Sequence, residues 1–112
     1  MLFRSLKRYY LSGPISGPNI ANNLAAFERA ALDLRSRGYE IDSPAEIVAD
    51  EGTTWEEYMA VCIPMAIECH GIILLPGWAQ SEGAKLERLI MQKLGREVLL
   101  YADLIGECVS AA

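Results

Sequence analysis

A chain of 112 residues has room for one domain, and with 52% hydrophobic and 22% charged residues it can build a core and stay in water. Its net charge of −5 argues against a nucleic-acid polymer as partner, which would need Lys and Arg to replace phosphate counterions. No apolar run approaches the roughly 20 residues of a membrane span. Met1 to Arg8 holds basic residues but no long apolar region and no small-residue cleavage site, so no signal peptide and a cytoplasmic location are expected.

The first expected strand, about 8–12, contains Arg8-Tyr9-Tyr10-Leu11-Ser12. It ends at a stiff loop, Gly13-Pro14-Ile15-Ser16-Gly17-Pro18-Asn19, whose backbone can approach a ligand closely. The loop lacks the Gly-Lys-Ser/Thr of a phosphate-binding Walker loop and is not a dinucleotide fingerprint. Asn19 or Asn22 is placed to cap the next helix, whose stripe is Leu24, Phe27, Ala31 and Leu34; Gly38 ends it. Residues 39–42 read as a second strand, stopped by Ser43-Pro44, and residues 45–53 mostly as a surface loop.

Thr54 with Glu57 fits a capping box for the third element, with Trp55, Met59, Cys62, Ile63, Ala66 and Ile67 on its apolar side. Pro64 inside it predicts a kink or a later helix start. Cys62, Cys69 and Cys108 have no metal-ligand spacing; Cys62 and Cys69 read as small core residues. His70 reads as a boundary residue or helix-end cation.

The apolar run at 71–75 predicts a third, buried strand. The turn Pro76-Gly77-Trp78-Ala79-Gln80-Ser81 leads from it into an amphipathic helix over 82–94. Ser81 is a good N-cap, and Gly83 leaves the first-turn N–H groups uncovered, which suits an anion. Glu87 falls one turn in, at the margin of a stripe of Leu86, Leu89, Ile90 and Lys93. There it reads either as a surface carboxylate near a helix start or as a cleft carboxylate. The cleft reading places it beside backbone donors, ionised at neutral pH yet poorly solvated. Gly95 closes this helix and a fourth strand follows at 97–101. Leu24, Phe27, Leu34, Met59, Ile63, Leu86, Leu89 and Ile90 are the expected buried side chains.

Strands alternating with helices predict a single α/β domain, a Rossmann-like or flavodoxin-like doubly wound parallel sheet. The expected strand order is 2-1-3-4 with room for a fifth element; the core covers 8–101 and the tail 102–112. The chain then reverses direction between strands one and three. Ligands in such sheets bind beyond the carboxyl ends of the strands at that switch point. The two distinctive loops, Gly13–Asn19 and Pro76–Gly83, converge there. The crevice would hold a phenol (Tyr10), an aromatic plane (Trp78), a phosphate-ready helix start and the Glu87 carboxylate. This suits a nucleoside or nucleotide, with no metal and no cofactor expected. Covalent carboxylate catalysis at a sugar carbon and simple ribose binding both remain open from these residues.

Tyr10-Leu11-Ser12-Gly13-Pro14-Ile15-Ser16-Gly17 and Leu75-Pro76-Gly77-Trp78-Ala79-Gln80-Ser81-Glu82-Gly83-Ala84-Lys85-Leu86-Glu87 resemble the nucleoside 2-deoxyribosyltransferase-like superfamily, which includes 2'-deoxynucleoside 5'-monophosphate N-glycosidases. The nearest resemblance is to a small bacterial and phage branch, an uncharacterised domain. It covers about residues 8–101. It implies that Glu87 is a nucleophile at the anomeric carbon and that Tyr10 lies near the reacting sugar. Ser81 and Gly83 would hold the 5'-phosphate or 5'-oxygen, and Gly13, Pro14, Ile15, Ser16 and Gly17 would form the loop around the sugar. It also implies a homodimer or larger homo-oligomer in which a neighbour completes the site. The superfamily's base-handling Asp falls at Cys62, and its Cys-Asp pair reads Cys69-His70. A thiol, with an ordinary pKa near 8.5, does not replace a carboxylate. Either Glu56, Glu57 or His70 substitutes, or the chain binds nucleotides without cleaving them. A third possibility is that only the fold is kept, as a structural or interaction protein.

Overall fold

The computed structural model describes residues 7–15, 20–47 and 52–106. Four strands, β1 (Arg8–Ser12), β2 (Glu40–Asp42), β3 (Gly71–Leu74) and β4 (Glu97–Leu100), alternate with α1 (Ile20–Ser36), α2 (Trp55–Ile67) and α3 (Glu82–Lys93). A short α4 (Tyr101–Leu104) follows β4 directly, where the sequence predicts a fifth strand residue. All strand pairs are parallel and the order is β2-β1-β3-β4, as the alternation predicts. Ser16, Gly17, Asn19 and Cys108 lie outside the described residues. No helix among the described residues is long and apolar enough to cross a membrane.

Strand side chains alternate between faces, so neighbouring residues of β1 serve different cores. Tyr9 and Leu11 pack with Phe27, Ala30, Ala31 and Leu34 of α1, and with Ile41 and Ile73. Tyr10 packs on the other side with Cys62 and Ala66 of α2, Ile72, Leu74 and Met91 of α3. Each fully buried large apolar side chain contributes about 1.5–3 kcal/mol. Cys62 and Cys69 are core thiols, as expected, and burial pushes that of Cys69 up to about 12.

The capping box forms: Glu57 N–H donates to Thr54 Oγ1 at 3.1 Å and Thr54 N–H to Glu57 Oε1 at 2.9 Å. α2 therefore starts at Trp55, directly after this cap and without the later start that Pro64 suggests, and Pro64 lies inside the helix. Asn22 lies inside α1 and does not cap it, because the helix already runs from Ile20.

Two expected core positions face solvent. Leu24, 39% exposed, is on the correct side of α1 but in its opening turns, where the helix lines the cleft described below. Leu89, 46% exposed, reflects a rotated register: the buried line of α3 is Ala84, Glu87 and Met91. Leu89 is two residues from Glu87, about 200° round the helix, and points away from the sheet. Phe27, Leu34 and Met59 are buried, and Ile63, Leu86 and Ile90 are half-buried. Glu87 therefore stands in the middle of the buried face, where apolar periodicity calls for a hydrophobic residue.

Candidate active site

Tyr10 and Ser12 are two apart on β1, so both side chains point to the face that α3 covers. Glu87, on the buried line of α3, meets both hydroxyls. Tyr10 donates to Glu87 Oε2 at 2.7 Å and Ser12 Oγ donates to Oε1 at 2.6 Å. Each carboxylate oxygen thus has one hydroxyl donor. The stabilising groups are side-chain hydroxyls, where the helix position alone suggests backbone N–H groups. Glu87 is 6% exposed, and burial raises its pKa, opposed by the Ser12 and Tyr10 hydrogen bonds. Burial also drives the Tyr10 phenol well above its ordinary range, with the Glu87 charge adding to the effect, so Tyr10 stays a donor.

The carboxylate lies on the wall of a cleft of about 1000 Å³ beyond the carboxyl ends of β1 and β3. Its lining brings together Tyr10, Gly13, Pro14, Ile15, Ser81, Gly83 and Glu87 from the residues singled out by sequence. The two loops meet closely. A Cβ on Gly13 would come 2.9 Å from Leu75 Cβ, and one on Gly77, which has φ near +90°, would come 3.0 Å from Pro14 Cγ. Glycine at 13 lets the end of β1 close on the end of β3, which builds the switch-point crevice.

Ser81 caps α3, its Oγ accepting from Ala84 N–H at 3.2 Å. Gly83 also has a packing reason: a Cβ there would lie 3.3 Å from Met59 Sδ and 3.5 Å from Trp55 Nε1. The missing side chain lets the start of α2 approach the start of α3, and the two starts form one wall of the cleft.

Trp78 is not among the described residues that line the cleft. It packs against the core on the α2 and α3 side and stacks under Arg88, whose guanidinium carbon is 5.3 Å from the ring centroid. The aromatic side chains that line the cleft are Tyr10, Trp55 and Tyr58. Trp55 reads as a core residue in sequence but is 47% exposed at the cleft rim. Tyr58 donates to Pro44 O at 2.7 Å and ties α2 to the loop after β2. Ser12 and Tyr58 are the residues that sequence reasoning missed. The strand period from Tyr10 reaches Ser12; nothing local marks Tyr58.

Cys62 is fully buried, against Tyr10 and Tyr58, and is absent from the described cleft lining. Burial raises its thiol pKa. Glu57 is committed to the α2 cap and Glu56 is exposed outside the described lining. His70 sits at the other end of β3, with Nε2 3.5 Å from Glu97 Oε1. None of the three is among the described residues that line the cleft. Among the described residues, no group of three or more His, Cys, Asp and Glu side chains is arranged to hold a metal ion.

The family profile of a domain of unknown function (DUF4406) matches residues 7–100, from the residue before β1 to the end of β4. The chain belongs to that family. No curated protein matches it. The matched segment of the DUF4406 domain contains both converging loops and all three groups of the Tyr10–Ser12–Glu87 cluster.

Proposed function

We propose that the protein is an N-glycosidase or 2-deoxyribosyltransferase acting on nucleosides or nucleoside 5'-monophosphates. The observation that carries this reading is the buried Glu87 carboxylate, held by two hydroxyls and still facing a large cleft. A carboxylate in a core costs several kcal/mol unless it is paired, and neutral hydroxyls compensate only in part. A fold that needed only stability would place an apolar residue there.

In the reaction, a Glu87 oxygen attacks the anomeric carbon. A bond forms from carboxylate to carbon, the C–N bond breaks, and the base leaves with the bonding electrons and takes up a proton from water. Water or the ring nitrogen of a second base then attacks the same carbon, gives up a proton to water, and releases Glu87 as the carboxylate. Tyr10 and Ser12 hold the carboxylate for attack. Trp55 and Met59 offer a broad apolar wall against which a planar base can stack. Ser81 and Gly83 face the 5' end of the sugar. The working form in this proposal is cytoplasmic and a homodimer or larger assembly. The exposed Ile20, Leu24 and Trp55 at the cleft support the assembly, because a neighbour there would cover apolar surface.

The second reading is a nucleotide-binding or sensing protein without turnover. It is favoured by Cys62, which lies in the core beneath Tyr10 with no carboxylate from α2 beside the cleft to protonate the departing base. Incubation with a panel of nucleosides and 5'-monophosphates, followed by chromatography for free base, separates the two. Free base supports the enzyme. Binding without free base supports the sensor.

A further inference from the structure

The described lining of the cleft carries the carboxylates of Glu82 and Glu87 and no Lys, Arg or His. Glu82 opens α3, where a 5' substituent would meet the helix start. The donors there are few. Ala84 N–H is taken by Ser81 Oγ, and Lys85 N–H by Ser81 O at 2.9 Å. The nearest ammonium on the helix, Lys85 Nζ, is paired with Glu82 Oε2 at 3.1 Å.

Resting on the glycosidase reading above, we infer that the cleft takes an uncharged nucleoside in preference to its 5'-monophosphate, and that Glu82 sets this preference. A 5'-hydroxyl needs one or two neutral hydrogen bonds, which the Glu82 and Gly83 N–H groups can supply. A phosphate dianion brings two negative charges toward the Glu87 carboxylate and toward an exposed Glu82–Lys85 pair that leaves no net positive charge to receive them. It would also have to draw Lys85 from a partner that already neutralises it. A helix start alone is a weak counter-charge, about half an elementary charge. Specificity here comes from like-charge repulsion as much as from attraction.

The test is a pair of dissociation constants on the full chain, by calorimetry at low ionic strength, for each 2'-deoxynucleoside and its 5'-monophosphate. Chromatography of the cell contents monitors turnover. The expected result is that the nucleoside binds at least about tenfold more tightly, a difference of about 1.4 kcal/mol. Added salt should narrow the gap, because it screens the repulsion. In Glu82→Gln, which removes one carboxylate and frees Lys85, the ratio should move toward the monophosphate by at least about threefold. Equal or tighter monophosphate binding by the wild type overturns the inference and leaves the glycosidase reading standing. A wild-type preference that Glu82→Gln does not move overturns the role of Glu82. Binding of neither ligand brings down the inference together with the reading on which it rests.

Discussion

Ser12 Oγ on β1 and Glu87 Oε1 on α3, 75 residues apart in the chain, meet at 2.6 Å inside the core. With Tyr10 on the second oxygen, this contact fixes the carboxylate in one orientation toward the cleft. Ser12→Ala leaves a buried carboxylate oxygen without its donor. The expected cost is about 1–3 kcal/mol of stability. Loss of a donor to the anion raises the Glu87 pKa further, so the acid limb of the activity profile should shift to higher pH. Thermal unfolding and a pH–rate profile check this. Tyr10→Phe should shift the limb in the same direction.

Burial raises the Glu87 pKa in the folded protein above its ordinary value of 4.5. The folded state therefore holds its proton at pH values where the unfolded chain has lost it. The contribution of this group to stability is full below the unfolded pKa and is lost as pH rises through the folded pKa. Glu87→Gln removes that titration. Its melting temperature relative to wild type should climb as pH rises from about 4 to neutrality, each kcal/mol being worth about 4–8 °C in a domain this small. A difference that stays flat or falls across that range would show that the hydroxyls outweigh burial.

Trp55 lines the cleft, and Trp78 is absent from its described lining. Trp55→Ala should weaken nucleoside binding at least about tenfold, removing one stacked aromatic contact of about 1–3 kcal/mol. Trp78→Phe should keep affinity within about threefold, since its ring only packs on the core and carries Arg88. Titration calorimetry on both variants checks the assignment, and the reverse order of effects would return Trp78 to the site.

Gly13→Ala forces a methyl to 2.9 Å of Leu75 Cβ, where neither strand end can yield easily. The expected loss is about 1–3 kcal/mol, as for other overpacked sites. Ligand affinity should fall with it, because the crevice is built on that close approach. Denaturant unfolding checks the first effect and calorimetry the second.

Much of this arrangement is legible in the chain. The strand–helix alternation gives the parallel sheet, and the Gly-Pro loop and the Ser81 cap give both loops of the cleft. The position of Glu87 and its poor solvation in a cleft are recoverable from sequence, but its place in the middle of the buried face is not. Apolar periodicity on α3 favours a stripe through Leu86, Leu89 and Ile90, because an acidic residue scores as solvent-facing. The true face runs through Ala84, Glu87 and Met91, since Tyr10 and Ser12 offer hydroxyls there. That information is non-local and lies on another element. Trp78 misleads for the converse reason: its neighbours in sequence line the cleft, yet the turn carries its ring onto the core. Cys62 follows the apolar stripe of α2 correctly, but only the packing reveals that it lies behind Tyr10.

The central claim is that Glu87 performs the chemistry, and base release measured by chromatography tests it most directly. Wild type and Glu87→Gln are each incubated with the four deoxynucleosides and their 5'-monophosphates. The account predicts free base from the wild type with at least one substrate. It predicts none from Glu87→Gln, with ligand affinity kept within about tenfold, or about 1.4 kcal/mol. Base release that persists in Glu87→Gln, or no release by the wild type from any substrate, would contradict it.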